Sequence, residues 1–420
     1  MTRNSSLDDP TSGTMADVGR LTSPILVGRD EELARLRSAW EAAGQGEPSL
    51  VLVGGDAGVG KTRLTDELLH HVRDGEGRVL VGACIEVGDG SVAFAALTDA
   101  LRGLAADEDA SRLPELLGPA RPQLARLVPS LGGAEAFDGD PPSPIVVLQA
   151  ALDGLARLAE DRPVVFVLED IHWADRSTLD LLAYLARTVR EERLLIIATY
   201  RTDEIHRRHQ LRPFLAELSR ARAIERIDLA PFDREQLTAQ LRAIRDENLP
   251  AHLIDEVLRR SDGNPFLAEE LLAAYDEEGP HTLSASLRDI LDARIADLPP
   301  ASRRVLEVAA TIGRTAHHEL LTAVGSDVTE DLREGLRAAV DHQILVPEPD
   351  GLYRFRHALV QEAVHDELLP GDRIQLHRAV AEVLQGRPEL ASGGPEYVDA
   401  ELAHHWEQAG DRVSAYQESI

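Results

Sequence analysis

The sequence predicts an α/β domain with a parallel, doubly wound sheet, followed by a mainly helical region that one extended segment interrupts. Two patterns predict it. Up to about Leu229, short apolar runs alternate with stretches whose leucines recur at helical spacing. Strand–helix alternation of this kind favours a parallel sheet with helices on its faces. Beyond Pro231-Phe232, helical periodicity takes over almost throughout.

Each strand has its own justification. Val51–Val53 runs into a glycine-rich turn, Arg78–Cys84 reads RVLVGAC, Pro163–Asp170 reads PVVFVLED and Leu194–Tyr200 reads LLIIATY, with a further strand near Ile224–Leu229. Runs that are apolar on both faces suit strands covered on both sides. Between them, helices are expected from Asp30 (Leu33, Leu36, Trp40), after Lys61 (Leu64, Leu68, Leu69, Val72), through Phe94–Leu104, along Leu148–Leu158 and around Leu179–Val189. Asp30 is the expected cap of the first. Residues 106–144, rich in proline, glycine and acids, predict a helical insertion with a mobile tail. Further on, helices are expected over Glu235–Ile244, Ala251–Arg259, Asn264–Tyr275 and Ser284–Asp297, with a stop and restart at Ser261–Pro265. Ile344–Phe355, broken by Pro347, Pro349 and Asp350-Gly351, predicts a β-hairpin among short helices.

The turn VLVGGDAGVGKT fits G-x-x-x-x-G-K-[ST] with Gly55, Gly60, Lys61 and Thr62. Glycines allow left-handed backbone and close approach of the main chain to an anion. Amides from Gly58 through Val59 and Gly60 to Arg63 can point at phosphate oxygens, and the helix opening at Lys61 adds its positive end. Lys61 reaches the β/γ-phosphates and the Thr62 hydroxyl serves Mg²⁺. The bland alternative is a surface turn, which the apolar strand before it and the amphipathic helix after it disfavour. Ligands of open α/β sheets lie beyond the carboxyl ends of the strands. Glu169 and Asp170 end one such strand, so one can hold Mg²⁺ while the other orients an attacking water. Arg201 ends the next, as a γ-phosphate sensor or as a solvated residue.

Composition bounds the partners. The chain has 420 residues, a net charge of -29 and a single cysteine, Cys84. The acidic balance argues against this segment being the main contact with DNA, RNA or an anionic membrane. One cysteine excludes an internal disulfide framework and fits a cytoplasmic location. Residues 1–24 are polar, lack a signal-peptide core and are expected to be a disordered leader. Adjacent histidines such as His404-His405 face different ways on a helix and make a zinc site improbable. His172-Trp173 suits a loop-orienting role better than a catalytic one.

Taken in order, Val27-Gly28-Arg29, the glycine loop, Leu168–Asp175 (LEDIHWAD), Thr199-Tyr200-Arg201, Gly263-Asn264-Pro265-Phe266 and Phe355–Ala363 (FRHALVQEA) resemble the STAND class of signal-transduction ATPases. More narrowly, the set is similar to the ATPase core of large LuxR-type transcriptional regulators of the MalT-like, LAL group. The resemblance implies a nucleotide-binding P-loop ATPase domain over 25–231, a helical lid over 232–298, a winged helix over 299–370 and the start of a helical, TPR-like region over 371–420. It implies ATP or ADP with Mg²⁺ and slow hydrolysis. Val27, Gly28 and Arg29 would border the adenine, Arg201 would act as sensor, and Pro265 would touch base or ribose. His357 would reach the β-phosphate of ADP. It implies a homo-oligomer in the ATP state, and an inducer or partner protein bound through later repeats. Nothing after Asp372 looks like the helix-turn-helix of that group and the balance is acidic, so DNA would be bound only by a domain beyond this sequence; the chain stops at Ile420 inside an expected helix. Glu169 stands where many relatives have Asp, which leaves the Mg²⁺ ligand open. Alternatives are a STAND scaffold unrelated to transcription, an AAA+ motor and a small-molecule kinase without a visible acceptor domain.

Overall fold

The computed structural model describes residues 22–84, 93–132, 142–205, 209–218, 224–245, 249–278, 291, 295, 298–325, 329–391, 398–411 and 413–414. Five strands, β1 (Ser49–Gly55), β2 (Arg78–Ala83), β3 (Val164–Glu169), β4 (Leu194–Arg201) and β5 (Ile224–Asp228), form one parallel sheet in the order β2-β3-β4-β1-β5. Strand side chains alternate between faces, and both faces are covered. Val51, Val53, Val165, Val167, Leu195 and Ile197 pack against Leu36, Leu64 and Leu68 of α1 (Asp30–Gly44) and α2 (Lys61–Asp74). Leu50, Leu52, Phe166, Leu168, Ile196 and Ala198 face the other way. They meet α3 (Ala95–Asp107), α4 (Leu113–Leu117), α5 (Arg121–Leu124), α6 (Pro144–Asp161), α7 (Arg176–Thr188) and α8 (Leu211–Leu218). Burial of such side chains contributes roughly 1.5–3 kcal/mol each, so the strand ends are rigid mounts.

One expectation changes here. Residue Arg29, not Asp30, is the N-cap of α1, and no side chain caps it. Asp30, Glu31 and Glu32 instead occupy the first turn, where the helix dipole favours carboxylates. The expected insertion is α4, α5 and two single 3₁₀ turns packed on α6, while its tail at 133–141 lies outside the described residues.

After β5 come α9 (Arg234–Ile244), α10 (Ala251–Ser261), α11 (Pro265–Glu278), α12 (Pro300–Ile312), α13 (His318–Val324) and α14 (Thr329–Asp341). Then follow α15 (Ala358–Glu367), α16 (Pro370–Gly386) and α17 (Val398–Gln408). Helix α9 opens with a capping box formed by Asp233 and Gln236. The helix expected at Ser284–Asp297 lies largely outside the described residues. The hairpin, β7 (Leu345–Pro347) and β8 (Leu352–Phe355), gains a third antiparallel strand, β6 (Thr315–His317), so the order is β6-β8-β7.

One apolar core runs without a break from Phe232 to Ala409, through Leu271, Leu306, Phe355, Leu359, Val380 and Trp406. Ion pairs bind its parts together. Asp262, at the left-handed end of α10, accepts from Arg314 and from the Ala358 N–H at 2.9 Å, and Arg260 meets Glu362 at 2.9 Å. Inside this body three imidazoles form a chain. His365 Nε2 lies 3.0 Å from His377 Nε2, and His377 Nδ1 lies 2.8 Å from His405 Nδ1. No helix among the described residues is long and apolar enough to cross a membrane.

Candidate functional site

The glycine loop joins the end of β1 to the start of α2. Gly58 (φ +77) and Gly60 (φ +101) are left-handed, which glycine adopts without strain. Nothing but glycine fits at position 58, because a Cβ there would lie 2.8 Å from Phe266 Cβ and 2.9 Å from Asn264 Oδ1. Helix α2 starts with neither a side-chain cap nor an acid in its first turn. Its first amides and the positive end of its dipole therefore face the loop's concave side. Lys61 is only 7% exposed, and its Nζ donates to Gly55 O at 2.8 Å and Asp56 O at 2.9 Å. Burial lowers the pKa of its ammonium, against the opposing pull of Asp170 and Asp203.

The loop opens onto a cavity of about 810 Å³. Lys61, Thr62, Asp66, Asp170 and Arg201 line one part, and Leu26, Val27, Phe232, Pro265 and Phe266 supply an apolar wall. This arrangement of a phosphate-binding loop, strand-end acid and apolar wall is that of a nucleoside-triphosphate site. Residues 25–197 match the model of the AAA ATPase domain. The chain carries an AAA-type P-loop ATPase domain.

An uncharacterized protein of Rhizobium meliloti (strain 1021) is 27% identical to the chain over 429 residues, which is 93% of this chain and 40% of that protein. The chain thus spans about two-fifths of that relative's length. A Signal Transduction ATPase with Numerous Domains (STAND) protein with a tetratricopeptide repeat sensor, from Pyrococcus horikoshii, superposes with a TM-score of 0.38 at 16% identity, covering 94% of this chain and 50% of that one. Cdc6p from Pyrobaculum aerophilum does so with a TM-score of 0.42 at 13% identity, over 87% and 98% of the two chains.

Most residues that the sequence singles out meet at the ATPase domain's cavity: Val27, Arg29, Gly58, Val59, Gly60, Lys61, Thr62, Arg63, Asp170, Arg201 and Pro265. Four do not line it. Gly28 lies behind the wall, its carbonyl accepting from Gln236 Nε2 at 3.2 Å. Gly55 faces Lys61 through its carbonyl. Glu169, at the end of β3, stands beside Asp170, Asp66 and Asp99, and burial followed by those charges raises its pKa. His357 is the N-cap of α15. Its neighbour Arg356 makes the contact with the loop, Nη2 to Asp56 Oδ1 at 2.9 Å and Nε to Asp56 Oδ2 at 3.3 Å.

Arg29 binds the wall together. It is 3% exposed, donates from Nη2 to Val59 O at 3.2 Å and Ala230 O at 2.6 Å, and stacks 4.7 Å from the Phe232 ring centroid. Arg201 is held rather than solvated. Its Nη1 meets Glu204 at 2.6 Å, its Nη2 lies 3.7 Å from Asp170, and it stacks 4.7 Å from Trp173. Buried His172 sits 3.1 Å from Glu204 Oε2 and accepts the Arg201 amide at 3.4 Å, a positioning role. Burial raises Glu204, but hydrogen bonds and charge from His172 and Arg201 outweigh it and hold the carboxyl down at about 2. Cys84 is buried, and burial followed by Asp175 and Asp170 pushes its thiol up to about 12, an inert side chain.

Sequence reasoning missed several contacts. Thr22 and Ser23, assigned to the disordered leader, line the cavity, and the Ser23 N–H donates to Glu269 Oε1 at 3.2 Å. Asn264 Nδ2 donates to Ala57 O at 2.8 Å and the Phe266 N–H to Gly58 O at 3.3 Å. Asp56 receives Arg356 and the Thr202 hydroxyl at 2.5 Å, and these hold its carboxyl below the usual range although burial pushes it up. The Gly-Asn-Pro-Phe signal marked the place of Asn264, and the Phe355–Ala363 motif contains Arg356, but neither showed that these residues contact the loop.

Proposed function

We propose that the chain is a Mg²⁺-dependent ATP/ADP switch, the STAND-type core of a LuxR-family transcriptional regulator. One observation carries the switch reading: the body after β5 grips the phosphate loop itself, through Arg356 on Asp56, Asn264 on Ala57 and Phe266 on Gly58. Whatever changes the loop's preferred shape changes that body's hold on it. The regulator reading rests on the ordered motif set. In it, 25–231 is the ATPase domain, 232–298 a lid, 299–370 a winged helix and 371–420 the start of helical repeats.

The residues fit the nucleotide. Lys61 is a buried cation beside uncapped helical amides, and the left-handed Gly58 and Gly60 shape the turn that presents them. Thr62, Asp66 and Asp170 are the oxygens on the wall that would hold Mg²⁺, which neutralises phosphate charge when bound. Glu169, whose pKa burial and then the neighbouring acids raise, would orient a water. Arg201, fixed by Glu204 and Trp173, would sense the γ-phosphate. Arg356 ties the winged helix to the loop, and His357 beside it would reach the β-phosphate of bound ADP. Exchange of ADP for ATP, biased by an inducer elsewhere in the whole protein, would release that hold and expose a face for homo-oligomer formation. Slow hydrolysis would reset it.

Calorimetry of the purified protein with ADP, and with ATP plus Mg²⁺, tests the reading. Wild type should bind both, and Lys61→Ala should lose about 100-fold or more in affinity, consistent with loss of a buried charged contact. Absence of binding by folded wild type, or unchanged affinity in the variant, defeats it. Fast hydrolysis without any inducer would favour the motor alternative over a switch.

A further inference from the structure

Helix α14 ends in a turn whose main-chain bonds are those of a Schellman motif. The Gln343 N–H donates to Val340 O at 3.1 Å and the Ile344 N–H to Ala339 O at 2.9 Å. The motif needs one left-handed residue, a position that glycine usually takes. Here it is Gln343, at φ +60. A residue with a Cβ is strained in that conformation and lowers stability relative to glycine. Such strain persists only where the surroundings over-determine it, which directs attention to the side chain.

Gln343 Oε1 accepts from Arg356 Nη1 at 2.6 Å, and the Arg356 N–H donates to Ile344 O at 2.9 Å, so the two residues sit side by side at the base of the hairpin. The rest of the guanidinium faces the phosphate loop, with Nη2 and Nε both on Asp56. Asp56 is fixed in turn by the Thr202 hydroxyl at 2.5 Å. An arginine's donors form a rigid planar fork on a flexible stem. With Nη1 tied to Gln343, the plane of that fork is set, and the edge carrying Nη2 and Nε is presented to Asp56. We propose that Gln343 is a positioning residue for the hold of the C-terminal body on the phosphate loop: its carboxamide aims Arg356 at Asp56, and the left-handed backbone is the strain accepted to put it there. The proposal deepens the nucleotide-switch reading and rests on it.

Side chain and backbone can be separated. Gln343→Gly removes the brace and relieves the strain, whereas Gln343→Ala removes the brace and keeps the strain. The test is stopped-flow displacement of a fluorescent ADP from the full chain, with thermal unfolding measured alongside. Both variants should speed ADP release about threefold, less than loss of Arg356 itself, because the arginine stays and only its aim is lost. Neither should speed release further in an Arg356→Ala background, where nothing is left to orient. Gln343→Gly should melt at or above wild type and Gln343→Ala below it. A residue that merely ended the helix would move the melting temperature and leave release alone. Release unaltered in both variants, or speeded as much in the Arg356→Ala background as in wild type, overturns the proposal while leaving the switch reading intact. So does a Gln343→Gly protein that melts below Gln343→Ala. If ADP does not bind to folded wild type, the nucleotide reading falls and the proposal with it. Should Gln343→Ala not fold, release from Gln343→Gly, whose turn is relaxed, still decides.

Discussion

His377 shows what single residues can and cannot hold here. Both of its ring nitrogens face another imidazole, at 3.0 Å and 2.8 Å. Each contact needs one N–H and one lone pair, which three neutral rings supply in series. Burial first, then His365, His404 and Arg373, pushes His377 down to about 4. Burial with His377, His404 and His365 takes His405 down to about 3. His365 is lowered as well, by burial and Arg373 and against Asp366. Folded-state pKa values below the unfolded value mean that the unfolded chain binds more protons. The stability they contribute is thus complete above about pH 6.5 and is lost as pH falls below it. Lowering the pH from 7.5 to 5.5 should remove about 2 kcal/mol from the body that contains α15–α17. Urea denaturation at the two pH values checks this. Replacing His377 by Gln should flatten the dependence, and an unchanged slope would refute it.

At the level of elements, legibility followed local pattern. The buried strands could be read because both their faces are apolar, as in Val164–Leu168, which is fully covered. The Ser261–Pro265 stop could be read from its turn residues, and α10 does end at Ser261 before a left-handed Asp262. Strand β6 could not, since three residues, Thr315–His317, carry no periodicity and are defined by pairing with β8. Likewise the cap of α1 falls on Arg29, which lends no side chain to the helix and instead spans Val59 and Ala230, contacts that no local pattern announces. Gly263 offers a test at this scale. At φ +74, with Phe232 O only 2.1 Å from where a Cβ would sit, Gly263→Ala should cost about 2–4 kcal/mol. Thermal unfolding would record that loss, and a shift within error would mean that the turn can move aside.

For the molecule as a whole, the decisive pair joins residues 300 positions apart, Arg356 and Asp56. No window of sequence contains both, so their pairing could not be read from the sequence. Their side chains are 23% and 20% exposed, so salt screens the pair only in part. Arg356→Ala should speed ADP release about fivefold, the equivalent of about 1 kcal/mol, without loss of fold. Stopped-flow displacement of a fluorescent ADP measures the rate, and an unaltered rate would detach this arginine from retention. Raising ionic strength should speed release in wild type and much less in the variant.

The unbroken core from Phe232 to Ala409 has a mechanical corollary. Under the proposed switch, the described residues of this core would answer a change at the phosphate loop together, because one set of apolar contacts joins them.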